Sequence, residues 1–274
     1  MKKLFILLFI LTLTSFSYAE DVTINGNVTV TDTGVINSSS VAMYYYDENF
    51  YHIVSSTTAG SITSDVLRVQ GYILTSFSDA YAITTSGIGG LEASDSEASN
   101  TWYEVYVIVN PTSGASDILL NEAATAIGTP IASYTLKRLV GYAYNDTGDD
   151  LLLGIQYGNE FNYGTGIVEL AAGRQDNYTS IDLKTSVPPK AFIVSAGIII
   201  VDTGDPTASM YIRANGAAGD QIRVGGSIAG GTTGNYQHYI SVQTDAAQII
   251  EYKDTGSSAN LKTLGYTLNL GLGA

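Results

Sequence analysis

The sequence predicts an all-β protein: two tandem antiparallel β-sandwich domains, jelly-roll-like, that follow a cleaved signal peptide. The chain has 20 tyrosines, 29 glycines and only 14% charged residues, and its many Val, Ile, Thr and Tyr residues favour strands. Short alternating apolar runs recur between Gly, Asn, Asp and Pro, which is typical of strands joined by turns. Long runs with the 3.6-residue period of an amphipathic helix are absent from the sequence.

The first 19 residues are predicted to be a signal peptide. Lys2-Lys3 precede an apolar run, Leu4 to Leu13, that is too short to span a bilayer comfortably. Ser17-Tyr18-Ala19 has the small residues of a cleavage site, so we expect cleavage before Glu20. An uncleaved N-terminal anchor is the alternative. We therefore expect an exported protein, extracellular or on the cell surface, whose mature chain is not inserted in a membrane.

Charge and composition narrow the classes of partner. A net charge of −14 disfavours nucleic acid and anionic membranes, and it leaves cations and neutral glycans as candidates. The chain has no cysteine and two histidines, so the sequence offers no disulfides and few ligands for a transition metal.

The first predicted domain covers residues 20–157. After an initial hairpin with Asn25-Gly26 at its turn, strands are expected at 65–74, 80–84, 101–110, 115–120, 134–144 and 151–157. In the most regular of these, the face expected to be core consists of Tyr103, Val105, Val107 and Val109. The opposite, mixed face is expected to meet a second sheet, another subunit or a ligand, and it consists of Trp102, Glu104, Tyr106 and Ile108.

The second predicted domain covers residues 158–274. Eight strands are expected, at 167–171, 180–187, 191–201, 208–214, 221–224, 236–242, 248–253 and 261–272. Eight antiparallel strands are enough for a jelly roll. The segment 159–166, rich in Gly, Asn and aromatic residues, is expected to form the boundary between the domains.

Residues 87–274 resemble tail-fibre-type virion proteins of tailed bacteriophages. The motifs that carry the resemblance, in chain order, are Gly87-Ile88-Gly89-Gly90-Leu91, Thr101-Trp102-Tyr103, Asn110-Pro111-Thr112-Ser113-Gly114, Asp117, Leu119, Pro130, Tyr134-Thr135-Leu136-Lys137-Arg138, Gly141, Gln156-Tyr157-Gly158-Asn159-Glu160-Phe161, Val187-Pro188 and Leu264-Gly265-Tyr266. The resemblance implies a non-enzymatic, β-rich structural component that is often oligomeric. It would also imply assembly in a virion, with which a signal peptide disagrees.

Aromatic residues next to polar ones mark the candidate ligand site. Residues 44–52 read Tyr-Tyr-Tyr-Asp-Glu-Asn-Phe-Tyr-His, and exposed tyrosines beside carboxylates and amides suit stacking on sugars. Cross-strand packing or a subunit contact is the alternative. The candidate ligand-binding residues are Tyr44, Tyr46, Asp47, Tyr51, Trp102 and Tyr106.

Residues 145–150, Asn-Asp-Thr-Gly-Asp-Asp, place three carboxylates in one turn. Such oxygen clusters bind calcium, although the spacing is not that of an EF-hand, and a solvated hairpin turn is the alternative. The candidate metal ligands are Asp146, Asp149 and Asp150, and Ca²⁺ is the one cofactor considered. Asp-Thr-Gly occurs four times; turns explain these copies better than an aspartic-protease loop, and we predict no catalytic residues.

These observations predict a non-enzymatic, exported structural or adhesive protein that displays a β-scaffold. We expect it to assemble with itself, as a homo-oligomer such as a trimer, and to recognise surface glycans. Two alternatives stay open. One is a secreted carbohydrate-binding module, and the other is an outer-membrane β-barrel, for which the alternating C-terminal residues 264–272 argue.

Overall fold

The computed structural model describes residues 29–30, 36–37, 47–93, 95–123, 131, 133–189, 191–201, 209–219, 222–224, 235–255, 258–268 and 270. In these residues the chain forms strands, turns and loops, without a helix that could cross a membrane. The predicted signal peptide and the initial hairpin turn at Asn25-Gly26 lie outside the described residues.

The described part of the chain contains 18 strands. They are β1 (Thr29–Val30), β2 (Ile36–Asn37), β3 (Tyr51–Val54), β4 (Ala59–Val69), β5 (Tyr72–Ala82), β6 (Gly90–Leu91), β7 (Thr101–Val109), β8 (Ser116–Glu122), β9 (Leu136–Asn145), β10 (Gly154–Tyr157), β11 (Glu160–Gly173), β12 (Thr179–Asp182), β13 (Ala191–Val201), β14 (Ser209–Ala214), β15 (Ile222–Val224), β16 (Asn235–Gln243), β17 (Ile249–Thr255) and β18 (Ser258–Leu268).

The chain divides at Tyr45. On the N-terminal side the described residues are those of β1 and β2, which pair with each other. On the C-terminal side there are three sheets. The large sheet has the order β16-β13-β18-β11-β10-β3-β4-β5, the middle sheet has the order β6-β8-β7-β9, and the C-terminal sheet has the order β12-β17-β14-β15. All pairings within them are antiparallel except the two-residue contact of β6 with β8.

The two four-stranded sheets pack against the large sheet as sandwiches. The middle sheet contacts β4 and β5, while β12 and β14 of the C-terminal sheet contact β11 and β16. Apolar side chains from all three sheets form one hydrophobic core, which includes Ile62, Val107, Tyr142, Ile212 and Tyr266. The all-β antiparallel sandwich predicted from the sequence is therefore confirmed.

The predicted domain boundary falls in a hairpin. β10 and β11 pair directly from Gly154–Tyr163 to Tyr157–Glu160. The segment 159–166, expected to form the domain boundary, therefore consists of the turn residue Asn159 and the first residues of the 14-residue strand β11. β11 pairs with β18 on its other side. The large sheet therefore takes strands from both predicted halves of the chain.

One predicted strand, 65–74, is in fact two. Val69 and Tyr72 pair across a turn formed by Gln70 and Gly71, both at positive φ, +48° and +89°. That conformation matches a two-residue type I′ hairpin turn, which usually has Asn-Gly or Asp-Gly. Because Gln is uncommon at positive φ, the sequence signal for this turn is weak.

Strand β7 is buried on both faces. The expected core face, Tyr103 to Val109, is buried as predicted. On the opposite face, Trp102, Glu104 and Ile108 are buried as well, while Tyr106 is half-buried. Trp102 meets a ring of the large sheet, Tyr266, edge-on with centroids 6.0 Å apart. Of the three predicted neighbours of this face, a second sheet is thus the one that Trp102 contacts.

We predict that Gly265→Ala destabilises the protein by about 2 to 3 kcal/mol, because the new Cβ would overlap the main-chain carbonyl oxygen of Phe161. The carbonyl belongs to the paired strand β11, so it moves only if β11 and β18 separate. Gly164→Ala is the matched control, since a Cβ added at this position would meet no atom within 4 Å, and it should change stability by less than about 0.5 kcal/mol. Urea unfolding measures both, and equal effects would contradict the argument.

Candidate binding surface

Strand β10 has the opposite of the usual burial pattern. Its inward residues are Gly154 and Gln156, whereas Ile155 and Tyr157 point to solvent. Leu153, just before the strand, is exposed on the same side. A half-buried antiparallel strand normally places its apolar residues inward. The inversion puts large apolar side chains on the outer face of the large sheet.

The neighbouring strand β3 enlarges this surface. Tyr51 pairs with Tyr157, and Ile53 pairs with Ile155, so all lie on one face. The exposed fractions are 39% for Tyr51, 47% for Leu153, 50% for Ile155 and 57% for Tyr157. The rings of Tyr51 and Tyr157 lie with centroids 5.1 Å apart and planes at 47°. We call the surface formed by Tyr51, Ile53, Leu153, Ile155 and Tyr157 the tyrosine patch.

Polar residues border the tyrosine patch on both sides. The register places Ser61 and Thr63 of β4 beside Ile53 and Tyr51. On the other side, the register places Asn162 and Glu160 of β11 beside Ile155 and Tyr157, and both are exposed. An exposed apolar area with a polar rim is characteristic of interaction sites.

A buried polar network supports the patch from the inner face of the same strands. The amide of Gln156 donates hydrogen bonds to the carbonyls of Val140 (2.8 Å) and Gly158 (2.7 Å). The Oε1 of Gln156 then accepts a hydrogen bond from Nδ1 of His52 at 3.4 Å. The other ring nitrogen of His52, Nε2, is left to accept a hydrogen bond from the Tyr81 hydroxyl at 2.8 Å. These bonds tie β3, β5, β9 and β10 together beneath the exposed residues.

Burial determines the charge state of this network. Desolvation lowers the pKa of His52 from 6.5 to about 4, against the opposing effect of its hydrogen bond to Gln156. Desolvation also raises the pKa of Tyr81. Both side chains are therefore neutral at pH 7, and the network holds the strands without a buried charge.

Among the six candidate ligand residues, Tyr51 is the one that the structure places in the exposed patch. Tyr44 and Tyr46 lie outside the described residues. The remaining three, Asp47, Trp102 and Tyr106, use their polar atoms in contacts within the chain, as described next.

Asp47 is held by an arginine. Both of its carboxylate oxygens accept from Arg138, at 2.9 Å and 2.6 Å, and Oδ1 also accepts from the Arg68 amide at 3.0 Å. This two-pronged ion pair is strong and directional, and it fixes the start of the described C-terminal unit on β9. The geometry assigns Asp47 a role in the fold.

Trp102 is a core residue. Its ring lies 4.9 Å from Tyr144, centroid to centroid, and its Nε1 donates to the carbonyl of Lys184 at 2.6 Å. Together with Tyr142, Phe161, Tyr163 and Tyr266 it encloses no space large enough for a water molecule. The surroundings of Trp102 therefore leave no room for a ligand.

Tyr106 is half-buried and donates its hydroxyl hydrogen bond to Oε2 of Glu104, at 2.6 Å. Tyr142 donates to the other oxygen at 3.4 Å. Burial, the hydrogen bond to Glu104 and the charge of Glu104 raise the pKa of Tyr106. Tyr106 thus anchors a buried carboxylate rather than standing free to stack on a sugar.

The acidic turn after β9 uses one carboxylate internally. Oδ1 of Asp146 accepts from the amides of Gly148 (2.7 Å) and Asp150 (3.2 Å), and Asp149 adopts a positive φ of +61°. Among the residues that the structure describes, no group of three or more His, Cys, Asp or Glu side chains could hold a metal ion. Asp146, Asp149 and Asp150 are therefore not brought together as ligands, and this copy of Asp-Thr-Gly forms a turn.

Sequence reasoning misses four patch residues: Ile53, Leu153, Ile155 and Tyr157. The sequence does contain a signal for three of them, because Leu153, Ile155 and Tyr157 occupy every second position and so share one face of a strand. By hydrophobicity alone that alternation indicates a core face made of Leu153, Ile155 and Tyr157, since Gln156 between them is of a residue type that is mostly exposed. Gln156 is nevertheless buried because the carbonyls of Val140 and Gly158 satisfy its amide.

No known protein family and no curated protein sequence matches the chain.

We predict that His52 makes stability fall as the pH is lowered. Between pH 6.5 and about 4 the unfolded chain binds a proton at His52 and the folded chain does not. The contribution of neutral His52 to the free energy of unfolding is therefore fully present above pH 6.5 and is lost as the pH falls toward 4. Lowering the pH from 7 to 4.5 should cost about 2 to 3 kcal/mol through His52. Urea unfolding at both pH values should show that His52→Gln reduces the pH dependence by this amount.

The control for this experiment is His238→Gln, which removes the exposed histidine on β16, outside the buried network, and so separates loss of the buried imidazole from loss of any histidine. The carboxylates contribute equally to the pH dependence of stability in the wild type and in both variants. An unchanged pH dependence in His52→Gln would contradict the buried, neutral state of His52.

We also predict that calcium leaves the thermal stability unchanged. One of the two Asp146 carboxylate oxygens already accepts two main-chain hydrogen bonds, and the carboxylates of this turn do not converge as metal ligands. Ligand binding raises stability only when the folded state binds more tightly. The measurement is the melting temperature with millimolar CaCl₂ and with chelator. A rise with calcium that Asp149→Asn abolishes would show that the turn binds the ion.

Proposed function

We propose that the protein is a non-enzymatic structural or adhesive β-scaffold that associates with further copies of itself through the tyrosine patch. The observation that carries this proposal is the inversion of β10, which buries Gln156 and exposes Ile155 and Tyr157. Export by residues 1–19 and a location at the cell surface belong to the same proposal, as does the resemblance to tail-fibre-type virion proteins.

The chemistry of the patch favours a second copy as the partner. Its five residues carry no charge, although the chain as a whole carries −14. Two acidic molecules repel each other, so a contact between copies is favoured where both surfaces are neutral. A twofold or threefold contact through one patch on each chain satisfies that condition.

The position of the patch within the sheet explains why side chains would make the contact. β3 and β10 are interior strands, each paired on both sides. Their main-chain groups are used in the sheet, so a partner cannot add as a further strand there. Association would depend on burial of the apolar side chains, which contributes about 25 cal/mol per Å² of apolar surface.

A carbohydrate-binding module is a second candidate, and the Tyr51–Tyr157 pair favours it. Two exposed tyrosine rings beside hydroxyl and amide side chains, such as Thr63 and Asn162, are groups that bind sugars by stacking and hydrogen bonding. In that case the protein would bind as a monomer.

Light scattering coupled to size-exclusion chromatography tests the proposal. The wild-type chain should elute as an oligomer, and Leu153→Ser combined with Ile155→Ser should elute as a monomer, because both side chains are about half exposed and leave the core unchanged. Ile88→Ser is the control. This residue is 39% exposed in the turn before β6, outside the patch, and its loss should leave the oligomer intact.

The other outcomes are informative. An oligomer that survives the double substitution would rule out the patch as the contact. If the wild type is a monomer that binds glycans on an array, and the Tyr51→Ser and Tyr157→Ser variants do not bind them, the protein is a carbohydrate-binding module. A monomer without glycan signal would remove both candidates.

A further inference from the structure

The outer face of the C-terminal sheet concentrates basic side chains. Three of the 12 lysines and arginines of the chain, Arg213, Arg223 and Lys253, lie on this one face of four short strands. The inner face is mostly apolar, since Met210, Ile212 and Ile250 are buried in the core, with Asp254 as a buried acidic residue beside Met210. The alternation of the strands therefore separates core from cations, and the cations point outward.

Tyrosines alternate with these cations across the sheet. Tyr211 pairs with Lys253 on one side and with Arg223 on the other, and Tyr178 precedes β12 beside Lys253. We call Tyr178, Lys253, Tyr211 and Arg223 the tyrosine–cation row. Lys253 Nζ lies 4.9 Å from the Tyr178 centroid and 4.6 Å from that of Tyr211, and Arg223 Cζ lies 6.0 Å from Tyr211.

A fifth side chain strengthens one end of the row. Arg213 stacks on Tyr178, with Cζ 3.5 Å from the ring centroid, while its Nε donates to Glu251 at 2.6 Å. Glu251 thus accounts for the charge of Arg213. Arg223 is exposed and donates to the neutral hydroxyl of Ser209 at 2.9 Å and 3.2 Å.

These contacts prepare the cations for binding. Cation–π contacts hold the long side chains over rigid rings, so fewer rotamers are lost when a ligand arrives. The row begins at Tyr178, just before β12, and crosses β17, β14 and β15, which gives an extended strip with positive charge at intervals. On a chain with 26 acidic residues and 12 basic ones, such a strip is selective, since the rest of the surface repels the same ligands.

We propose that the tyrosine–cation row binds an anionic sugar polymer, whose sulfate or carboxylate groups contact Arg223 and Lys253. The row is on a different sheet from the tyrosine patch, so this inference does not rest on the proposed function. Hydroxyl groups of the sugar chain find hydrogen-bond partners in the tyrosine hydroxyls and in Ser180, which the register places beside Glu251.

Single-stranded nucleic acid is the competing polyanion, and the geometry disfavours it. Sequence-independent binding of single strands depends on aromatic rings on which bases stack. Here Tyr178 and Tyr211 each have two cationic side chains within 6.0 Å of the ring centroid, and a stacking base would have to displace them.

Isothermal titration of the full chain with dextran sulfate, polygalacturonate, neutral dextran and oligo(dT) tests this assignment. Dextran sulfate or polygalacturonate should bind, and its affinity should fall as the NaCl concentration is raised. Neutral dextran should not bind. The comparison of the two polyanions identifies sulfate or carboxylate as the preferred group. Arg223→Gln and Lys253→Gln should each weaken binding about 3- to 10-fold.

Lys262→Gln is the matched control, because Lys262 is also a half-buried lysine within a strand, but on β18 of the large sheet. It removes the same charge and should leave the affinity unchanged. Equal losses in all three variants, or no loss in Arg223→Gln, would overturn the assignment. Absence of binding to both sugar polyanions, or tighter binding of oligo(dT), would overturn it as well.

Discussion

The packing of aromatic rings around Tyr266 is the contact on which the rest of the structure depends. Phe161 of β11 stacks on Tyr266 of β18, with centroids 4.9 Å apart and planes at 7°, and Trp102 of β7 meets the same ring edge-on. Trp102 and Tyr163 also donate hydrogen bonds to the carbonyls of Lys184 and Ser186, in the segment after β12. One cluster therefore joins the large sheet, the middle sheet and the chain leaving the C-terminal sheet.

Sequence patterns predict the strands well where alternation is regular and a familiar turn follows. Each of the eight strands expected after residue 158 overlaps an observed strand, and 191–201 has the predicted bounds. The strand expected at 180–187 ends at Asp182. The turn at Gln70-Gly71 is missed because its first residue rarely adopts positive φ. The orientation of β10 is missed for a different reason. A pattern of apolar and polar residues assigns faces by hydrophobicity, whereas Gln156 is buried through hydrogen bonds to residues that become neighbours only in the fold.

The candidate site shows the same limit from the opposite direction. Aromatic and acidic residues in the sequence suggest binding, yet Asp47, Trp102 and Tyr106 all satisfy partners within the chain. Tyr51 differs from them because it shares an outward face with its strand neighbours, Ile53 and Tyr157. Sequence identifies residue types that are able to bind, and only cross-strand register shows which of them share a free face. The cations of the C-terminal sheet, spread from residue 213 to residue 253, are gathered by register in the same way.

The direct pairing of β10 with β11 has a mechanical consequence. Two sandwiches linked by a flexible segment swivel about that segment, but here a hairpin within a shared sheet replaces it. Relative motion of the halves would require bending the sheet itself, across hydrogen bonds that run from β16 to β5. Tension applied at one edge of the large sheet is therefore carried through its hydrogen bonds to the other edge, and the two halves of the sheet cannot rotate about a linker.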